Sequence, residues 1–598
     1  MYDRRSATIK TKRKTMDHIG PINPACDEIH RTKHRQIGES YKEAMTRIAA
    51  GLTDNSNQFH TFRDILLQMK FLPAGRIQAA IGSTKSVTPY NCFVSGTIED
   101  SFVDGHGSIM ARATEAAQTM RMGGGIGYDF STLRPRGDMI RKLQSQTGGP
   151  VGFLKIFDAV CANTASSGNR RGAQMGVLRV DHPDIEEFVR AKHNHDQLTG
   201  FNLSIAITDH FMECLSLGRP FPLQFEGRTY REVDPAALWE LIMRSTWDWA
   251  EPGVLFIDQI NRMNNLSYIE TIAATNPCGE QPLPPYGACL LGSVNLPKYV
   301  SRRVVSTVGE IEWSFNWSEF EEDIAPIVWA MDMVPDVAIF PLYEQEKEAK
   351  SKRRMGIGIT GLANAAEACG FPYGTQEFLE FEARILKTLN VKAYEASVEA
   401  AMMKGAFPLY DERFLNSAFL NGPALAGTGV KEMIAKHGIR NGLLTSIAPT
   451  GSISFGADNV SSGIEPVFSY SQERKVKTIE GDEKVILRDY GVEYFGVKGR
   501  RANDLTAREH VDVLTTAARY IDSSVSKTCN VSPDIEWEDF KSLYIQAWEG
   551  GAKGCTTYTP KPEGEGRGSV IESLDEEAEA WDPTKCVWDP ATGKKDCS

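Results

Sequence analysis

The 598-residue chain lacks any apolar run approaching the roughly eighteen residues that a membrane-spanning helix requires. Its basic start (Arg4, Arg5, Lys10, Lys12) is not followed by the apolar core of a signal peptide. It also lacks a positive balance. The 66 Lys and Arg face 78 Asp and Glu, a formal charge of −12, so the surface as a whole is not built for a nucleic-acid backbone. Anionic ligands such as nucleotides would need local basic pockets. Cysteine is sparse: eleven over this length fit reduced thiols, some of them reactive, rather than a secreted disulfide framework. No internal repeat of about 20–50 residues is present. The expectation is a cytoplasmic protein with neither membrane nor nucleic acid as partner.

What the chain does contain is ordinary for a globular protein: 41% hydrophobic and 24% charged residues, with 52 glycines that imply many tight loops. Residues 1–25 are polar and basic and read as a flexible leader. Ile37, Tyr41, Met45 and Ile48 recur at helical spacing, which predicts helices over 33–70 ending at Phe71-Leu-Pro-Ala-Gly75, within an N-terminal helical region bounded at 26–85. Beyond it, short apolar stretches read as buried strands: Phe201–Ile207, Val254–Ile257, Met355–Thr360 and Leu443–Ile447. Thr208-Asp209 reads as the cap of a following helix. Strands alternating with helices predict an α/β body with parallel pairing over 86–560. Residues 472–505 are charged and suggest a peripheral hairpin insertion. The segment 561–598, rich in Pro, Gly and Glu, reads as a mobile tail.

The most informative stretch is Asn276-Pro-Cys278-Gly-Glu280, with a second thiol, Cys289, eleven residues after Cys278. In an extended loop, alternation would put Asn276, Cys278 and Glu280 on one face. A hydrogen-atom or electron carrier would then stand beside an amide that orients hydroxyls and a carboxylate that takes a proton. The same pentapeptide also fits a shaped turn around a buried, inert cysteine. Ala448-Pro-Thr-Gly-Ser-Ile-Ser454 follows a strand and could expose backbone N–H groups as a phosphate cradle, or be a plain strand-to-helix turn. Met122-Gly-Gly-Gly-Ile-Gly127 fails the G-x-G-x-x-G fingerprint and reads as close approach of backbone to a ligand or strand. Ser167–Gln174 carries Arg170, Arg171 and Gln174, equipped to bond a base or phosphate. His182, His193 and His195 read as a solvated helix end, and no metal site is expected. Asp104-Gly-His106-Gly fails a cobalamin-ligating signature, because Ile109 stands where a glycine is required.

Taken in order, Asn91-Cys92, Asn276-Pro-Cys278-Gly-Glu280, Cys289 and Pro449-Thr-Gly-Ser-Ile453 resemble ribonucleotide reductases. Tyr90–Ser101, Arg170–Met175 and Gly554-Cys-Thr-Thr-Tyr558 are similar to the class II, adenosylcobalamin-dependent branch, over roughly residues 25–570. The resemblance implies a ten-stranded α/β barrel of two five-stranded parallel halves around a central finger loop. It implies that Cys278 forms a thiyl radical, Glu280 takes the 3′-hydroxyl proton, and Asn276 orients the substrate. Cys92 and Cys289 would reduce the ribose and close a disulfide. Asn91, Gly125, Pro449, Thr450, Gly451, Ser452 and Ile453 match substrate-binding segments. Asp100, Arg141, Arg170, Arg171 and Gln174 match the binding region of a deoxynucleotide effector, at a homodimer interface in the family. Cys586 and Cys597 would relay electrons from a thioredoxin- or glutaredoxin-type reductant. Class I large subunits use two adjacent tyrosines where this chain has Thr557-Tyr558, one tyrosine short, which disfavours the alternative of a class I subunit awaiting a metal-bearing partner. A non-catalytic nucleotide-binding protein is a further one.

Overall fold

The computed structural model describes residues 18–164, 173–194, 197–304, 311–478 and 481–559, with short pieces at 572–573, 587–589 and 594–596. Ten strands position the site. They are β1 (Phe71–Pro73), β2 (Cys92–Val94), β3 (Gly125–Asp129), β4 (Gln174–Arg179), β5 (Phe201–Ile207), β6 (Gly253–Phe256), β7 (Ala288–Asn295), β8 (Met355–Thr360), β9 (Thr528–Asn530) and β10 (Gly554–Tyr558). Several are apolar or glycine on both faces, and every residue of β7 and β8 is buried, as expected for parallel strands covered by helices.

The pairings trace a ring. β2 to β6 lie side by side, all parallel. β6 meets β10 antiparallel, and β2 meets β7 antiparallel. On the far side β7 and β8 are parallel. Parallel bridges then join Ile357 to Thr445 and Ile447 to Val525. Residues 523–526 lead into β9, which is parallel to β10. The circuit thus closes through two sets of parallel strands, antiparallel at both seams, which is the two-halved barrel that the resemblance implied. β1 lies against the far end of β7, beyond β2.

Segment 443–447 is less regular than a strand reading implies, for a local reason. The Asp522 carboxylate takes the N–H groups of Leu444 and Thr445 at 2.7 and 2.9 Å, so a side chain replaces part of the ladder. Along β4 the alternation sends Met175 and Val177 inward. There they join Cys92, Val94, Ala206, Leu255 and Leu291 in an interior cluster separate from the main core beneath the helices. Ala274 and Leu283 belong to the same cluster and bring a loop into the barrel.

At the N-terminus the helices Tyr41–Gly51 and Ser56–Leu67 pack around Ile48, Phe62 and Leu66, while the helix Pro24–His34 sets Cys26 and Ile29 against Leu487 in a separate cluster. Each is capped by a side chain (Asn23, Ser40 and Asn55), and Ser40 with Glu43 forms a full capping box. Ser471–Thr478 and Gly481–Arg488 form an antiparallel pair. Among the described residues no helix is long and apolar enough to cross a membrane.

Candidate active site

The loop that enters the barrel is a short hairpin. Ala274–Thr275 pairs with Pro282–Leu283, and the tip closes with Asn276 N–H donating to the Gln281 carbonyl at 3.1 Å. The tip is therefore a tight turn and not the extended stretch that alternation suggested. Gly279 has φ +78, a left-handed conformation that glycine adopts without strain, and its N–H donates to the Asn276 carbonyl at 3.1 Å. The turn still gathers the three side chains, by folding rather than by period two.

Both halves of the barrel hold this loop. From the first half, Asn202 Nδ2 donates to the Pro277 carbonyl at 2.8 Å, and Pro277 packs on Gly125. A Cβ on Gly127 would run into the Thr275 carbonyl, so glycine here lets the hairpin stem lie against β3. From the second half, Ser446 Oγ and Ser524 N–H donate to the Glu280 carbonyl at 2.9 and 3.1 Å. These anchors lie 75 to 244 residues from their partners, and no local motif marks them.

The antiparallel seam sets Cys92 of β2 directly opposite Cys289 of β7. Asn276 Nδ2 donates to Cys92 Sγ at 3.1 Å, and the thiol faces Glu280 Oε1 at 3.7 Å. The Asn276 Oδ1 is used by the Gln281 N–H at 2.9 Å, which fixes the amide's orientation. Cys92, Cys289, Asn276 and Glu280 are buried, whereas Cys278 at the tip is exposed. Burial pushes the Cys92 thiol well up from its ordinary range, and the charges of Glu280, Cys289 and Cys278 push the same way. Burial likewise raises Cys289. Both are neutral thiols near pH 7, able to give hydrogen but unsuited to thiolate attack.

The other expected residues divide. Asn91 and Gly125 adjoin the thiols: Gly125 N–H donates to the Asn91 carbonyl at 2.9 Å, and Asn91 Oδ1 is buried without a hydrogen-bond partner. After Pro449, Thr450 adopts φ +53. Its hydroxyl is occupied by Thr360 (3.0 Å), Ser454 (2.9 Å) and the Gly463 N–H (2.8 Å), so it shapes the turn rather than facing a ligand. Gly451 begins a helix of five residues in which Ser452 is exposed and Ile453 buried.

Asp100 pairs with Arg134 at 2.5 Å, and Arg141 is exposed. Gln174 is a correction. It lies in β4 with its side chain buried, accepting from Tyr128 Oη at 2.8 Å and donating to the Phe157 carbonyl at 3.2 Å, so it supports the core and is not presented to an effector. His182 is another: it is buried, with Nε2 at 2.9 Å from the Leu133 carbonyl and Nδ1 accepting from the Asp184 N–H. It is no solvated helix end. Arg170, Arg171, His195, Cys586 and Cys597 lie outside the described residues.

Comparison with known proteins accounts for this geometry. The family model described as ribonucleotide reductase, barrel domain, matches residues 90–494 and 487–558. The vitamin B12-dependent ribonucleoside-diphosphate reductase of Mycobacterium tuberculosis (strain CDC 1551 / Oshkosh) is 32% identical over 560 residues, covering 87% of this chain and 76% of that protein. A protein of the same name from Thermoplasma acidophilum is 31% identical over 582 residues, covering 91% and 71%. The ribonucleoside-diphosphate reductase large subunit of Caenorhabditis elegans is 25% identical over 498 residues, covering 76% and 61%. The chain belongs to the ribonucleotide reductase family.

Proposed function

We propose that this chain reduces ribonucleoside diphosphates to 2′-deoxyribonucleoside diphosphates by thiyl-radical chemistry initiated with adenosylcobalamin. The observation that carries the reading is the division of the three thiols. Two neutral thiols stand opposed and buried, and the third projects from a hairpin tip clamped by both halves of the barrel. Bound adenosylcobalamin supplies the initiating radical, a task beyond an unaided side chain. Cys278 is the thiol open to it.

Cys278, as the radical, takes the hydrogen from C3′. Glu280 takes the 3′-hydroxyl proton, and Asn276 orients the hydroxyls. Cys92 gives its proton to the 2′-hydroxyl, which leaves as water. Cys92 and Cys289 together deliver two electrons and close a disulfide, and Cys278 returns hydrogen to C3′. The balance is one ribonucleotide and one dithiol to one deoxyribonucleotide, water and one disulfide. The raised thiols fit this role, since each must keep its proton until the sugar needs it.

Cys586 and Cys597 then relay electrons from a thioredoxin- or glutaredoxin-type protein, because the buried pair is closed to a protein reductant. Deoxynucleotide effectors act through the region of Asp100, Arg141, Arg170 and Arg171 in a cytoplasmic homodimer. The diphosphate assignment follows the names of the relatives. The test is to supply the purified chain alone with adenosylcobalamin, a small dithiol and CDP, and to measure dCDP. Turnover strictly dependent on the cofactor is expected. Inactivity that is relieved by a metal-bearing second subunit would overturn the class II reading.

A further inference from the structure

The Asn276–Glu280 motif stops one residue short of a side chain whose chemistry is unmet. Gln281 is wholly buried, and its backbone ties it into the hairpin tip. Its N–H donates to Asn276 Oδ1 at 2.9 Å, and its carbonyl accepts from the Asn276 N–H at 3.1 Å. The side chain is different. Among the described residues neither Oε1 nor Nε2 has a hydrogen-bond partner, although both atoms are buried. An amide shut away from water with donor and acceptor both unmet is destabilising. The neighbouring carboxamides are not in that state: those of Asn276 and Gln174 are each bonded at both ends.

The Gln281 carboxamide rests on the second half of the barrel. Its Nε2 lies 2.5 Å from where a Cβ on Gly356 of β8 would stand, with Leu291 Cδ2 and Ser446 Cβ completing the contact. Gly356 pairs with Leu291 of β7. Leu291 and Cys289, two positions apart on that strand, both belong to the interior cluster. The amide therefore lies on the wall that carries Cys289. It also adjoins Ser446, whose hydroxyl holds the Glu280 carbonyl. Swinging the carboxamide off Gly356 breaks no hydrogen bond with a described residue, because it makes none.

We propose that Gln281 is a specificity-determining residue that pairs with the 2′-hydroxyl of the bound ribonucleotide. The inference rests on the functional reading above and deepens it by naming the group that tells substrate from product. A hydroxyl both donates and accepts, which matches the two atoms that the carboxamide leaves unmet. On that reading Glu280 and Asn276 serve the 3′-hydroxyl, while the 2′ carbon faces the dithiol on whose wall Gln281 lies. The product lacks the 2′-hydroxyl. A site built around a buried polar group discriminates against a ligand that leaves the group unpaired. The deoxyribonucleotide is therefore held less tightly than the ribonucleotide, and it departs once the hydroxyl has left as water.

The test uses the full-length chain and two ligands that differ by one hydroxyl. Equilibrium dialysis with labelled CDP and dCDP compares wild type with Gln281→Met and Gln281→Leu, which fill a similar volume without polar atoms. Thermal scans of the unliganded chains run beside it. Wild type is expected to bind CDP more tightly than dCDP, and both variants should lower that ratio about fivefold or more by weakening CDP alone. Their melting temperatures should equal or exceed that of wild type, because an unmet buried amide has been removed. A structural role predicts the reverse: earlier melting, with both ligands weakened alike. That result, an unchanged ratio in a folded variant, or a wild type that does not distinguish CDP from dCDP overturns the assignment, while turnover of CDP by wild type keeps the reductase reading. A wild-type chain that forms no dCDP with adenosylcobalamin and binds CDP no better than cytidine would overturn the reading itself, and the role of Gln281 with it.

Discussion

In a chain carrying Cys586→Ser and Cys597→Ser, so that the tail cannot take over the oxidation, a single turnover without external reductant should leave one new disulfide, between Cys92 and Cys289, with Cys278 still reduced. The perturbation is to pre-reduce the chain, remove the reductant, add adenosylcobalamin and CDP, and quench after one equivalent of dCDP. Directly opposed residues in an antiparallel pair have Cα atoms about 4.5–5.5 Å apart, and a disulfide spans about 4.4–6.8 Å. The register Cys289 to Cys92 therefore permits closure without moving either strand. The bond would close a loop of roughly 200 residues and remove about 5 kcal/mol of chain entropy from the unfolded state. For a chain of this length that is a rise of about 4 °C in apparent Tm. Differential alkylation with peptide mapping identifies the pair, and a thermal scan before and after turnover reads the stabilisation. Cys92→Ala or Cys289→Ala should lose both signals. If both cysteines remain alkylatable after stoichiometric dCDP formation, the pairing argument is wrong.

Cys278→Ser should abolish dCDP formation while CDP binding and the melting temperature stay unchanged, because a hydroxyl holds its hydrogen far more tightly than a thiol; turnover near wild type would remove Cys278 from the radical role. Gly127→Ala should cut activity far more than it cuts stability, since the new methyl meets the Thr275 carbonyl of the hairpin stem; overpacking of this kind costs about 1–3 kcal/mol, and an unchanged kcat would show that the stem does not hold the tip. Glu382, on the helix Gln376–Lys404, is buried with neither carboxyl oxygen hydrogen-bonded, and burial holds its carboxyl well above the usual range. A raised folded-state value means that its penalty is absent below the unfolded pKa and grows as pH rises, by about 1.4 kcal/mol per unit until the folded value is reached; Glu382→Gln should therefore gain stability over wild type from about pH 5 upward, and a difference constant with pH would refute the assignment.

The strands that could be read from sequence are those that are almost wholly buried. Phe201–Ile207, in which Asn202 alone is exposed, and Met355–Thr360 are too short for helices, mostly apolar or glycine and bounded by caps or loops, and they appear with the bounds expected. Leu443–Ile447 was harder, because Asp522, 77 or 78 residues away, supplies the acceptors that a neighbouring strand would otherwise provide. Gln174 misled for a related reason. In sequence it continues a polar loop with two arginines, and only its place on the outward face of β4, beneath Tyr128 and Phe157, shows that its amide is already used.

Local chemistry announced the site residues but not their arrangement. Asn276, Cys278 and Glu280 lie within five positions, so their proximity needed no fold. Their roles separate only in three dimensions: the turn at Gly279 exposes Cys278 while Asn276 and Glu280 converge on Cys92, 184 and 188 residues away. That convergence exists because two half-barrels meet antiparallel at the β2–β7 seam, and because a glycine at 127 and serines at 446 and 524 let both halves grip one hairpin. On the proposed mechanism a radical at the tip and a dithiol at the seam meet the same ribose, so an error of a residue in register would part them. The barrel's closure is thus what gathers Cys92, Cys278 and Cys289, scattered in sequence, at one place.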